Sequence, residues 1–159
     1  MIRILFVCMG NICRSPLAAA VVREYFNAAG LGEAVAIDSA GTHASHSGEA
    51  ADPRARQVAL GRAYLLSGHR ARRIRPDDFE KFDLILAMDR ANLSALESLA
   101  PPTTRARLSL FLGCLEGQEI IDVPDPYYGN LAGFERVQAL CEVGAKALVT
   151  AYINDGLTK

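Results

Sequence analysis

The chain has 159 residues, 50% of them hydrophobic and 22% charged, with a formal net charge of −1 at pH 7. That length and balance fit one globular domain spanning 1–159, and a charge so near zero argues against nucleic-acid or membrane attraction. No apolar stretch reaches the ~20 residues of a membrane span, and the start lacks a signal-peptide pattern.

Ile2–Val7 is almost wholly apolar, as expected of a strand buried on both faces. After the loop Cys8–Pro16, the alanine-rich stretch Leu17–Ala29 reads as a helix closed by Gly30 and Gly32. Ala34–Ser39 is a second strand, and the small polar residues of Gly41–Ala51 form a loop. Asp52-Pro53 pairs a cap with a first-turn proline and starts a helix expected to run to Leu66. Ser67–Arg75 is basic through Arg70, Arg72, Arg73 and Arg75, either as solvated surface or as an attractor for an anionic substrate. Asp77–Phe82 is a helical turn, Leu84–Met88 a third buried strand, and Asp89 caps a helix through Leu99. Pro101-Pro102 breaks the chain before a fourth strand at Leu108–Leu112. The last helix is amphipathic, with Phe134, Val137, Cys141, Leu148 and Tyr152 at helical spacing.

This alternation implies an α/β fold, with helices on both faces of a parallel sheet and ligands beyond the strands' carboxyl ends. At such an end stands Cys8-Met9-Gly10-Asn11-Ile12-Cys13-Arg14-Ser15-Pro16. A loop closing onto a helix N-terminus turns backbone N–H groups inward and adds the positive end of the helix dipole, a cradle for a dianion. Arg14 can clamp two oxygens of that anion, and the same field favours the thiolate of Cys8. A thiolate beneath an anion cradle is suited to attack on phosphorus. Gly10 is expected to take a positive φ, which Asn11 also tolerates, while Ser15 reads as an N-cap and Pro16 as the first helical residue. Without a lysine and second glycine at Walker spacing, this is not a nucleotide-binding loop.

The nine-residue form CMGNICRSP after a first strand resembles the low-molecular-weight protein tyrosine phosphatase family, and the likeness extends from Ile4 to the last helix. The resemblance implies a three-layer sandwich around a four-stranded parallel sheet, with a phosphate-binding loop after the first strand. It also implies protein-tyrosine-phosphatase activity on phosphotyrosine proteins and aryl phosphates. Cys8 would be the nucleophile and Arg14 the phosphoryl clamp, with Met9, Gly10, Asn11, Ile12 and Cys13 completing the phosphate or oxyanion loop. The late segment Asp125-Pro126-Tyr127-Tyr128-Gly129 matches the family's acid loop, so Asp125 takes the general acid role. Ser15 would donate to the Cys8 sulfur, and Ser39 and His69 would join Asn11 in a supporting polar network. No cofactor is required.

Tyr127 and Tyr128 can wall a phenyl ring. Ile12 matches tyrosine-directed members, whereas relatives acting on phosphoarginine carry threonine there. Ser45 replaces the aromatic residue that relatives often place after Ser39-Ala40-Gly41-Thr42, so one pocket wall is missing or supplied by another residue. His43 and His46 read as surface histidines.

Four cysteines, Cys8, Cys13, Cys114 and Cys141, show no C-x2-C pair and no His-rich set, which argues against zinc and for a reducing, cytoplasmic setting. The resemblance allows a reversible Cys8–Cys13 disulfide; a small buried Cys13 is the alternative. Cys114 and Cys141 read as core. A thiol-dependent arsenate reductase would need two further cysteines, and none lies around Phe82–Asp89. A non-catalytic phosphoprotein-binding module would have lost the nucleophile or the acid, and both are present.

Overall fold

The computed structural model describes residues 1–114 and 121–157, the side chain of Cys114 excepted. Strands β1 (Ile2–Cys8), β2 (Val35–Gly41), β3 (Leu84–Ala87) and β4 (Arg107–Leu110) form one four-stranded sheet, ordered β2-β1-β3-β4. All three pairings are parallel. The central position of β1 explains its unbroken apolar run. Ile4 and Phe6 face one core, and Leu5 and Val7 face the other.

The first core lies under α1 (Arg14–Ala28), α2 (Pro53–Leu60) and α5 (Leu131–Asp155). Phe6 and Phe111 meet there edge-to-face, with ring centroids 5.1 Å apart. Gly144 of α5 admits that packing, because a Cβ there would lie 2.5 Å from the Phe111 ring. The second core lies under α3 (Asp78–Lys81) and α4 (Arg90–Leu99) and is filled by Phe79, Phe82, Ile85 and Leu96. Each such fully buried side chain contributes roughly 1.5–3 kcal/mol over its exposed state. The expected three-layer α/β sandwich is therefore the fold.

Several boundaries differ from the sequence reading. Helix α1 starts at Arg14 rather than Leu17, its N-cap position is Cys13, and Ser15 lies inside the first turn rather than capping it. Helix α2 stops at Leu60 instead of Leu66. A turn through Gly61 and the left-handed Ala63 (φ 60°) redirects the chain so that Tyr64 and Leu66 enter the first core. Strand β2 continues past Ser39 to Gly41, and β4 ends at Leu110 before a 3₁₀ turn at Leu112–Cys114.

Because the strands run parallel, their carboxyl ends share one edge of the sheet, and β1 delivers Cys8 there. The end of β2 crowds that point. A Cβ on Gly41 would lie 2.6 Å from the Met9 carbonyl, so only glycine fits. Thr42 and His43 then donate their backbone N–H groups to the Cys8 and Met9 carbonyls at 2.9 and 3.0 Å.

Candidate active site

Residues 9–13 join the buried end of β1 to the start of α1, so the loop is fixed from both sides. Its pivot is Asn11, wholly buried and in the left-handed region at φ 58°. Gly10 does not take the positive φ expected of it; Asn11 does. A non-glycine residue there needs its conformation dictated by its surroundings. Asn11 Nδ2 donates to Ser15 Oγ at 2.8 Å and to Ser39 Oγ at 3.0 Å. Its Oδ1 accepts from the Arg72 N–H at 3.0 Å, and its carbonyl accepts from His69 Nε2 at 2.7 Å. Only a protonated Nε2 can donate to that carbonyl, which fixes the tautomer. Burial holds the His69 pKa below the ordinary value, favouring the neutral ring. Asn11 is thus hydrogen-bonded to both Ser39 and His69. Asn11 itself is not among the cavity-lining residues; its side chain works behind the loop.

The Cys8 sulfur sits 3.0 Å from Ser15 Oγ, the contact expected of that pair. Arg14 is almost fully buried, its side chain 4% exposed, with Nη1 donating to Asp89 at 2.6 Å and to the Val123 carbonyl at 3.0 Å. Burial is the largest single influence and works against its charge, but the Asp89 hydrogen bond together with the negative charge of Cys8, Asp89 and Asp125 outweighs it and the net shift is upward, so Arg14 stays a cation. Asp89 therefore does two jobs. One oxygen caps α4 through the Asn92 N–H at 2.7 Å, and the other anchors Arg14. The sequence indicated only the cap.

Across the cavity, Asp125 Oδ2 lies 3.7 Å from Arg14 Nη2, and Asp125 Oδ1 accepts from the Tyr127 N–H at 3.1 Å. The cavity, about 210 Å³, has Cys8, Arg14 and Asp125 in its lining together with the loop residues Met9, Gly10, Ile12 and Cys13. Tyr127 and Tyr128 form one side, their rings edge-to-face with centroids 4.9 Å apart. Ser45 and His46 also line it.

His46 is a correction to the surface reading. Its ring lies 6.0 Å from that of Tyr127, and its Nδ1 is 2.8 Å from Glu49 Oε2. The glycine at position 10 admits it, since a Cβ there would approach His46 Cδ2 to 3.0 Å. Ser45 brings no ring to the cavity, and the ring that lines it beside Ser45 is that of His46. His43 is exposed, as read.

In the basic segment, Arg70, Arg73 and Arg75 are exposed, while Arg72 pairs with Asp78 at 2.9 Å and Asp38 at 3.1 Å. None of these arginines lines the cavity. Cys13 and Cys141 are buried free thiols, and Cys8 is free as well. Burial, reinforced by Asp52, pushes the Cys13 thiol up to about 12, so it is protonated at neutral pH. Cys141 belongs to the first core, as expected, and Cys114 lies outside the described side chains. Among the described residues, no cluster of His, Cys, Asp and Glu could hold a metal ion, and no helix is long and apolar enough to cross a membrane.

At the carboxyl edge of a parallel sheet, one cavity is thus lined by a cysteine, an arginine and an aspartate. The family follows from comparison. Residues 3–157 match the family model described as low molecular weight phosphotyrosine protein phosphatase, and the chain belongs to that family. It is 43% identical over 153 residues to a low molecular weight protein-tyrosine-phosphatase of Streptomyces coelicolor, covering 94% of this chain and 92% of that one. Identity to a Homo sapiens low molecular weight phosphotyrosine protein phosphatase is 41% over 140 residues, covering 87% of each. A protein tyrosine phosphatase from Entamoeba histolytica, solved with Hepes in its active site, superposes with a TM-score of 0.92. That pair is 36% identical, with 99% of this chain and 100% of the other covered.

Proposed function

We propose that this chain hydrolyses phosphotyrosine in protein substrates through a phosphocysteine on Cys8. The observation that carries the reading is that Cys8, Arg14 and Asp125 line one cavity, with Arg14 and Asp125 separated by 3.7 Å. Residues so placed can attack, hold and protonate a single phosphate ester.

In the first step the Cys8 thiolate attacks phosphorus in line. The S–P bond forms as the bond to the tyrosyl oxygen breaks, and Asp125 gives its proton to that oxygen. Arg14 and the loop N–H groups hold the equatorial oxygens, where charge gathers. In the second step water attacks phosphorus, Asp125 takes a proton from it, and the S–P bond breaks to release phosphate and the thiolate. Ser15 Oγ, 3.0 Å from the sulfur, stabilises the departing anion. No metal enters either step.

Tyr127 and Tyr128 on one side and His46 near them offer ring faces to the substrate's phenyl group. Ile12 supports the phosphotyrosine reading, since it lines the cavity with an apolar side chain where relatives acting on phosphoarginine carry threonine. The family match across residues 3–157 supports one catalytic domain. A cytoplasmic setting fits the free thiols of Cys8, Cys13 and Cys141.

The test is hydrolysis of an aryl phosphate in the presence of a chelator. Activity should persist in the wild type, vanish in Cys8→Ser, and fall by about 10²–10⁴-fold in kcat for Asp125→Asn. Full activity in Cys8→Ser, or dependence on added metal, would refute the reading.

A further inference from the structure

Ahead of Asp125 its loop is tied down by Arg90 at Asp122 and by Arg14 at the Val123 carbonyl; beyond the acid it is gripped by an arginine of α2. Arg54, at the start of α2, donates from Nη2 to the Tyr127 carbonyl at 2.9 Å and from Nη1 to the Gly129 carbonyl at 3.2 Å. Its guanidinium is fixed in turn by Asp52, through Nε at 3.0 Å and Nη2 at 2.9 Å. The guanidinium carbon also lies 4.5 Å from the ring centroid of Phe134, a buried residue of α5. Asp52 is tied to the other loop, because its N–H donates to the Ile12 carbonyl at 2.8 Å. A continuous strut therefore runs from Ile12 through Asp52 and Arg54 to Tyr127.

Tyr127 is where that strut meets the acid. Its carbonyl is gripped by Arg54, and its N–H is the donor that orients Asp125 Oδ1 at 3.1 Å. We infer that Arg54 is a positioning residue for proton transfer: by gripping Tyr127 it holds Asp125 in register with Cys8. This rests on the reading of Asp125 as the general acid. A guanidinium suits the task because its planar fork bonds Asp52 and two carbonyls at once, which a single ammonium cannot reproduce.

The signature is dependence on the leaving group. A misplaced acid matters most when the departing oxide is strongly basic and least when it leaves readily unprotonated. The experiment compares kcat/KM for phenyl phosphate and 4-nitrophenyl phosphate in the wild type, Arg54→Met, Arg54→Lys and Asp125→Asn. Thermal melts accompany each variant. In Arg54→Met, activity on phenyl phosphate should fall about tenfold more than activity on 4-nitrophenyl phosphate, in the same direction as Asp125→Asn. Arg54→Lys should fall between Arg54→Met and the wild type.

A merely structural Arg54 would lower the melting temperature and depress both substrates equally, leaving the ratio unchanged. That result, with Asp125→Asn still discriminating, overturns the inference and spares the acid. Should Asp125→Asn itself fail to discriminate, the acid assignment falls first and the inference with it. If Arg54→Met does not fold, Arg54→Lys decides alone: a shifted ratio supports the role and an unshifted one overturns it.

Discussion

The loop that holds Cys8 and the loop that holds Asp125 face the same cavity and are built in opposite ways. The first is exposed only at Met9 and, in part, at Gly10, and is bonded from behind: Cys8 is 3% exposed, and Asn11, Ser15 and Ser39 form a polar cluster beneath it. The second lies open, with the Asp125 side chain 38% exposed and Tyr128 93% exposed, and it is secured by Arg54 and Asn130 at its far end. The contrast fits the chemistry proposed for each. A cradle that stabilises charge must be preorganised, because reorienting its dipoles during reaction would consume the stabilisation they provide. An acid that serves a bulky protein substrate has to sit where that substrate can reach it.

Breaking the closed loop should have the largest effect. Asn11→Ala removes donors to Ser15 and Ser39, orphans the Arg72 N–H, and leaves an alanine at φ 58°. We expect a loss of about 2–4 kcal/mol in denaturant unfolding, together with a fall in kcat. Wild-type stability in Asn11→Ala would show the cluster to be ornamental.

A smaller effect concerns pH. Burial favours neutral His69, so its folded pKa lies below the ordinary 6.5. As pH falls through 6.5 the unfolded chain takes up the proton first, and His69's contribution to stability drains away until the folded ring is protonated too. Melting temperatures of the wild type should therefore fall more steeply below 6.5 than those of His69→Gln, and parallel curves would contradict this.

The smallest effect belongs to the open side. Tyr128→Ala should leave the melting temperature within about 2 °C, since a substitution at an exposed residue changes stability by ~0.5 kcal/mol or less. Its cost should appear as a severalfold higher KM for aryl phosphates, measured by initial rates. A large fall in stability would place Tyr128 in the supporting frame instead.

The same contrast explains what the sequence made legible. The cradle is written in consecutive residues between a strand and a helix, so Cys8–Pro16 could be read locally, and the resemblance carried Asp125 with it. The partners that hold these groups are remote. Asp89 meets Arg14 across 75 residues, and Arg54 meets Tyr127 across 73. Nothing in the local pattern distinguishes Asp89 from an ordinary helix cap or Arg54 from a surface arginine. His46 was missed for a related reason: its place over the cavity depends on the missing side chain of Gly10. The early end of α2 was equally nonlocal, since it follows from the core's need for Tyr64 and Leu66.

The proposed reaction turns on a covalent bond between Cys8 and phosphorus. Its most direct test is to quench Asp125→Asn with acid during turnover of an aryl phosphate and locate any phosphoryl group by peptide mass spectrometry. Slowed hydrolysis of the intermediate should let it accumulate, with the phosphoryl group on the peptide containing Cys8 and absent from the Cys8→Ser, Asp125→Asn double variant. A phosphoryl group on another side chain, or continued turnover by the double variant at the rate of Asp125→Asn, would contradict the account.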